Sequence, residues 1–238
     1  MQRSFSLIGN DELKESTVQK FTTPAPIAAV LDVPAGRVQF IAADRADTTV
    51  EVLPVDASKG RDVKAAEQTT VEYGDGVLRI AVQAAKNQYF GSSGSIEVTV
   101  QLPAGSRVDV TAAAAEFRAV GRLGDVVFDG AHGAIKVDEA ESVRLTAHAG
   151  DVSVGRLNGP AEISTQKGDI RIAEAVRGAV VLRTQAGDIS VGAARGVSAS
   201  LDAGTSYGRI GNALKSDGNA ELDIRATTSY GDITARSL

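Results

Sequence analysis

Apolar and polar residues alternate along the chain from about residue 27 to residue 103, the pattern of strands with one buried face. A Gly-Asp-Gly sequence at residues 74–76 interrupts the alternation and predicts a hairpin turn. A weaker pattern over residues 61–68 favours one helical turn. We therefore predict that residues 23–104 form an N-terminal β-rich region of alternating, antiparallel strands.

A short motif repeats in the second half of the chain. It consists of a glycine, usually an aspartate, and then an apolar residue. Intervals of 18 to 23 residues separate the copies, a spacing typical of stacked repeat proteins. The predicted repeat turns contain Gly150 and Asp151, Gly168 and Asp169, Gly187 and Asp188, Gly208, and Gly231 and Asp232.

A second apolar segment lies between successive copies, so each unit consists of a strand, a Gly-Asp turn, a strand and a second turn. Strands this short cannot bury their apolar side chains alone, and we expect the units to stack in sequence order. The stack should contain one buried column of Leu145, Ile163, Leu182, Leu201 and residue 222 or 224, and another of Val152, Ile170, Ile189, Ile210 and Ile233. The expected fold class is all-β, with a short single-stranded, β-helix-like β-solenoid over residues 105–238 that follows the β-rich region.

The repeats and the segments before them resemble a known family. The similar stretches are FTTPAPIAAVLDVPAGRV (21–38), SIEVTVQLPAGSRVDV (95–110), GRLGDVVF (121–128) and the final part, from LDAGTSYGRIGNAL to ATTSYGDITARS (201–237). In these stretches the chain is similar to the bacterial putative-adhesin, β-strand-repeat family of unknown function, and most similar to its actinobacterial members. The resemblance implies a β-solenoid with a non-catalytic role, in a family with some members linked to cell-envelope stress. We interpret residues 1–22 as a polar N-terminal arm.

Composition narrows the classes of function. The formal net charge of −5 leaves no basic surplus for phosphate binding, which argues against nucleic acid and against an anionic membrane surface. The chain has no cysteine, which excludes disulfides and thiolate metal sites. No apolar stretch has the length of a membrane span, and the first residues lack the apolar centre of a secretory signal. We therefore expect a cytoplasmic protein.

Aspartates follow four of the repeat glycines and are the first candidates for chemistry. In a stack they form a column with neighbours ~4.8 Å apart, which could coordinate Ca²⁺ or supply acid and base groups to a sugar substrate. The alternative is turn chemistry, in which glycine supplies an unusual φ and aspartate bonds to the turn backbone. We favour turn chemistry, because Arg209 is expected between Asp188 and Asp232, where it breaks the acidic row. Calcium-binding solenoids also use a denser Gly/Asp pattern.

The remaining candidates indicate no catalytic residue, cofactor or metal site. His132 and His148 are expected on neighbouring units, but further metal ligands and a nucleophile are not evident beside them. Serine and threonine are frequent, yet no nucleophile elbow is present. Tyr207 and Tyr230 occupy the same position of the repeat, where we expect them to pack against each other rather than serve as a sugar platform.

These observations favour a non-enzymatic scaffold that binds a protein partner or a second copy of itself. A carbohydrate-binding, adhesin-like module is the alternative, followed by a polysaccharide-active enzyme of the solenoid type. The last repeat ends close to Leu238, so we expect the C-terminal end of the stack to need a cover. Arg236 with the terminal carboxylate, the arm 1–22, or another copy could provide it.

Overall fold

The computed structural model describes residues 18–82 and 94–238, and within them it shows an all-β protein with one short helix. In chain order the elements are β1 (Gln19–Thr22), β2 (Ala28–Ala43), β3 (Asp47–Pro54), α1 (Gly60–Glu67), β4 (Thr69–Gly74), β5 (Val77–Val82), β6 (Ile96–Pro103), β7 (Arg107–His132), β8 (Ile135–Ala149), β9 (Val152–Leu157), β10 (Ala161–Lys167), β11 (Ile170–Ala175), β12 (Gly178–Arg183), β13 (Ile189–Ala193), β14 (Ala199–Tyr207), β15 (Ile210–Ala213), β16 (Leu222–Tyr230) and β17 (Ile233–Ser237). The predicted all-β class is confirmed.

The second half of the chain winds as a coil whose strands pair in parallel with those of the neighbouring coils. One row of strands contains the second half of β8, then β10, β12, β16 and β14. The other row contains the first half of β8, then β9, β11, β13, β17 and β15. The β-solenoid prediction is confirmed.

The N-terminal region joins this stack directly, because β2 pairs in parallel with β5, β6 and β7. Antiparallel pairs complete this end: β1 with β3, β3 with β6, and β4 with β5. The β4–β5 hairpin turns at Asp75, whose φ is +52°, where the Gly-Asp-Gly sequence predicted a turn. Helix α1 covers nearly the same residues as the predicted helical turn and packs against β3 and β6.

The polar arm predicted for residues 1–22 falls mostly on residues 1–17, which lie outside the described residues. Its last residues, Gln19–Thr22, form strand β1 and pair with Asp47–Val50 of β3. The charged side chain of Lys20 lies 2.9 Å from the carboxylate of Asp47. Strand β1 is thus held at the N-terminal end of the stack by backbone pairing and by an ion pair.

The core consists of inward-facing apolar side chains stacked one coil above another. Ile163 lies between Leu145 and Leu182, as the repeats predict. The next member of this column is Ala226, however, and not Leu201. Leu201 pairs with Ile224 in the adjacent column, two residues along the strand. The predicted positions of Leu201 and of residue 222 or 224 in the first column are therefore wrong.

The second predicted column contains the expected residues in a different order. Ile170 lies between Val152 and Ile189, and Ile189 lies next to Ile233. Ile210 follows Ile233 at the end of the column.

The coils therefore do not stack in sequence order. The chain passes from β13 to β14 through residues 194–198 and leaves a gap one strand wide. Strands β16 and β17 return to fill this gap, between β12 and β14 in one row and between β13 and β15 in the other. The expectation that the last repeat is the uncovered one is wrong. The coil of residues 199–213 covers it and is itself the end of the stack.

Candidate functional site

The repeat glycines lie at one corner of the stack, where the chain passes from one row of strands to the other. At Gly168 and Gly187 φ is +142° and +154°, values that residues with a side chain rarely adopt. A Cβ on Gly187 would lie 2.0 Å from the carbonyl oxygen of Gly168. The same close approach to a glycine carbonyl recurs at Gly150, Gly208 and Gly231. Glycine is therefore needed here so that successive coils can come into contact.

The aspartates of these turns accept hydrogen bonds from the backbone of the neighbouring coil. Oδ1 of Asp151 accepts the N–H of Asp169 at 2.9 Å, and Oδ1 of Asp169 accepts the N–H of Asp188 at 2.8 Å. Oδ1 of Asp188 then accepts the N–H of Asp232 at 2.7 Å. Oδ1 of Asp232 accepts the N–H of Arg209 at 2.9 Å. One oxygen of each carboxylate is thus used to join two coils.

Arg209 ends the row of aspartates instead of interrupting it, because its coil lies outside that of Asp232. The expected position of Arg209 between Asp188 and Asp232 is therefore wrong. Its Nη2 and Nε donate to Oδ2 of Asp232 at 2.7 and 3.2 Å. These bonds lower the pKa of Asp232 and raise the pKa of Arg209. The row of carboxylates thus ends at an exposed cation.

Threonine is a third member of these turns, and the Gly-Asp pattern does not predict its role. Thr184, Thr205 and Thr228 each stand three residues before a repeat glycine. The Oγ1 of Thr184 donates to the carbonyl of Gly168 at 3.1 Å, and that of Thr228 donates to Gly187 at 3.1 Å. The signal in the sequence is the recurring Thr-x-x-Gly spacing, which the glycines and aspartates obscured.

The remaining polar candidates do not form a site. Within residues 18–82 and 94–238, no group of three or more His, Asp or Glu is placed to hold a metal ion. His132 and His148 are both exposed, on neighbouring coils. A shallow depression of about 450 Å³ on one side of the stack has both Arg144 and Glu162 in its lining. These side chains give the depression charges of both signs rather than a focused acidic or basic site.

The outer edge of coil 199–213 is the candidate functional site, and we call it the open end. Among the described strands, β14 pairs only with β16, and β15 only with β17. Ile210 is 47% exposed, whereas Ile189 and Ile233 of the same column are 0% and 1% exposed. Leu201 and Ala203 are half-buried at this end of the core. The open end therefore presents unpaired backbone groups together with apolar side chains.

Two tyrosines extend the open end at the Gly-Asp corner. The rings of Tyr207 and Tyr230 stack with centroids 5.0 Å apart and an interplanar angle of 3°. Tyr207 is 68% exposed, and it lies on the last coil with Tyr230 on its inner side. The structure thus shows the predicted cross-coil packing and leaves the outer face of one aromatic ring open.

A family model described as Toastrack DUF4097 matches residues 30–237. No curated protein is similar enough to the chain to count as a match. Among the described residues, no helix is long and apolar enough to cross a membrane.

Several solved structures of bacterial proteins are similar to the chain. A putative adhesin from Bacteroides fragilis is 13% identical, with 93% of this chain and 97% of that chain covered and a TM-score of 0.54. A putative adhesin from Parabacteroides distasonis is 16% identical, with 92% and 96% covered and a TM-score of 0.42. A putative lipid binding protein from the same species is 12% identical, with 93% and 97% covered and a TM-score of 0.45. At this low identity, the first of these supports the fold alone.

Proposed function

The chain belongs to the Toastrack DUF4097 family, and from its architecture we propose that it is a non-enzymatic scaffold that binds a protein along the open end. The observation that carries the proposal is the exposure of Ile210 in a column whose other isoleucines are buried. An exposed strand edge is a template for pairing with another strand, and backbone hydrogen bonds supply much of the affinity of such contacts.

The turn geometry supports a structural role over a catalytic one. Oδ1 of each repeat aspartate accepts a backbone N–H of the neighbouring coil, which gives these carboxylates a role in joining coils that needs no catalysis. The Bacteroides fragilis protein with the same fold is described as a putative adhesin rather than as an enzyme. We therefore assign the Gly-Asp turns to holding the coils together.

Site-specific photo-crosslinking in the cells that make the protein tests this proposal. A benzophenone amino acid at Ser206 lies on the last coil, whereas one at Gln166 occupies the same repeat position in the middle of the stack. We expect discrete protein adducts from Ser206, lost on Ile210→Lys, and none from Gln166. Equal adducts from both positions, or no adduct from Ser206, would rule out protein binding at the open end.

The stacked tyrosines favour carbohydrate binding as a second candidate. The outer face of the Tyr207 ring is an aromatic surface of the kind on which a sugar ring can stack, and Arg209 and Asp232 supply polar groups beside it. A glycan array compares the native chain with Tyr207→Ala. Sugar binding that Tyr207→Ala abolishes would support this candidate, and the absence of any glycan signal would reject it.

A further inference from the structure

We propose that the protein that covers the open end is a second copy of this chain, related to the first by a two-fold axis. This inference rests on the proposed function, and it names the partner. In such a dimer, β14 and β15 of one copy pair edge to edge with those of the other. Each copy then supplies hydrogen-bond partners for the unpaired backbone groups of the other copy and covers the exposed apolar side chains at the end of its core.

The two ends of the stack differ, which favours a closed dimer over a fibre. Antiparallel strands and helix α1 form the N-terminal end, whereas parallel coils continue to the edge of the open end. Head-to-tail stacking would therefore join two surfaces of different shape. Rotation about a two-fold axis joins two identical edges and reverses the direction of one of them. The new pairs are antiparallel, a geometry in which edge strands associate readily.

Under this rotation, charges of opposite sign on the two open ends face each other. Coil 199–213 contains two charged residues, Asp202 near the start of β14 and Arg209 just after its end. Antiparallel pairing brings the end of one β14 over the start of the other, so that Arg209 of one copy approaches Asp202 of the second. Both residues are exposed. The Arg209 side chain remains 90% exposed although it bonds to Asp232, so it can contact a second carboxylate.

The edge lacks the features that commonly prevent such association. Protected edge strands carry lysine, proline or a covering loop. Residues 199–213 contain neither lysine nor proline. The loop after β15 bonds to the start of β14, where the carbonyl of Lys215 accepts the N–H of Ala199 at 3.0 Å and Ser198 Oγ accepts the N–H of Asp217 at 3.1 Å. It also bonds to the end of β17, where Ser237 Oγ accepts the N–H of Lys215 at 2.9 Å. It does not cover Leu201 or Ile210 completely, since both keep exposed surface.

The size of the open end is sufficient for a specific contact. The nine residues of β14 span ~30 Å, and two packed sheets with their outward side chains are ~20 Å thick, which gives an end of ~600 Å². A dimer would bury ~1,200 Å² in total, at the lower limit of stable specific interfaces. Tyr207, Arg209, Leu201 and Ile210 supply the aromatic, guanidinium and apolar groups that interfaces use.

Sedimentation velocity of the purified full-length chain, over roughly 1–100 µM, tests the inference. We expect a reversible monomer–dimer equilibrium that Ile210→Lys weakens by at least ~30-fold, because the change places two charges in the contact. Gln166→Lys, in the middle of the stack, is the matched control and should leave the equilibrium unchanged.

A charge exchange tests the antiparallel geometry separately. Asp202→Arg and Arg209→Glu should each weaken the homodimer, because like charges then meet across the two-fold axis. A mixture of these two variants should restore dimers, since each heterodimer regains two pairs of opposite charge. This restoration also shows that both variants remain folded.

A chain that is monomeric up to the highest concentration, or a dimer insensitive to Ile210→Lys and to Asp202→Arg, would overturn the inference. These outcomes are distinguishable from failure of the proposed function. Photo-crosslinks from Ser206 to a different protein, combined with a monomeric purified chain, would retain the scaffold and reject the dimer.

Discussion

Ile189 shows how much the stack depends on single inward-facing residues. It is completely buried between Ile170 and Ile233. Ile189→Asp would bury a carboxylate among apolar side chains and should lower the free energy of unfolding by ~4 kcal/mol or more. Ser190→Asp, at the exposed next position, should change it by less than ~1 kcal/mol. Urea unfolding followed by circular dichroism measures the stability of both variants. An unchanged urea midpoint for Ile189→Asp would show that Ile189 is not buried in this column.

Thr184 tests the corner that joins the coils. Its hydroxyl is buried and donates to the carbonyl of Gly168. Thr184→Val keeps the shape but removes the donor, and should lower the free energy of unfolding by roughly 1–2 kcal/mol. Thr184→Ser keeps the donor and is the control, with a smaller loss expected. If the two variants unfold at the same denaturant concentration, the hydroxyl contributes nothing to stability.

Low pH should destabilise the N-terminal end of the stack, because Asp47 becomes protonated there. Hydrogen bonds from Arg45, and then from Lys20, lower the pKa of Asp47 from 3.8 to about 2. The unfolded chain therefore binds this proton at higher pH than the folded chain does. The contribution of Asp47 to stability is present above about pH 4 and is lost as the pH falls toward 2.

Urea midpoints at a series of pH values between 6 and 2 measure this loss, on the native chain and on Asp47→Asn. The variant should be less stable than the native chain at pH 6, and the difference should shrink as the pH approaches 2. A difference that stays constant over the whole range would show that Asp47 has no such role.

At the scale of the structural element, the row of aspartates should not need calcium. Each Oδ1 in the row already accepts a backbone N–H of the adjacent coil. We expect the same melting temperature with CaCl₂ and with EDTA. Asp169→Asn keeps an acceptor oxygen and should unfold within about 1 kcal/mol of the native chain. A calcium-dependent rise in melting temperature that Asp169→Asn abolishes would overturn the assignment of the row to turn chemistry.

Elements with a local pattern could be predicted from the sequence. Alternation predicts the strands, and the buried column from Val152 through Ile170 to Ile189 follows from repeats at a nearly constant interval. The hydrogen-bond partners within the turns could not be predicted, because they lie on other coils. Asp169, for example, bonds to residues 18 and 19 positions away.

At the scale of the whole molecule, the order of the coils could not be predicted from the repeats. Any Gly-Asp turn can stack on any other. The local pattern is therefore the same whether the coils stack in sequence order or the last coil inserts between two earlier ones. A clue is present in the spacing. The glycines are 18 and 19 residues apart from Gly150 to Gly187, but 21 and 23 apart from there to Gly231. The extra residues give the chain the length to leave a gap after β12 and β13 and to return with β16 and β17, which fill it.

This order also determines where the candidate site lies. The last residues of the described chain form an inner coil, and the backbone N–H of Leu238 donates to the carbonyl of Ala193 at 3.0 Å. If the coils stacked in sequence order, the free edge would lie at residues 233–237 and Ile210 would be buried. The open end, with Ile210 and Tyr207 exposed, is a consequence of the insertion.

Cysteine pairs in this cysteine-free chain test the coil order most directly. Ala179 and Asp223 are neighbours on adjacent strands, whereas Ala179 and Ser200 have Asp223 between them. Adjacent Cα atoms ~4.8 Å apart are within disulfide range, and those two strands apart, at ~9.6 Å, are not. After oxidation of dilute protein, mass spectrometry should find an intramolecular disulfide in Ala179→Cys/Asp223→Cys and free thiols in Ala179→Cys/Ser200→Cys. A disulfide in the second pair and free thiols in the first would show that the coils stack in sequence order and that residues 199–213 are not the open end.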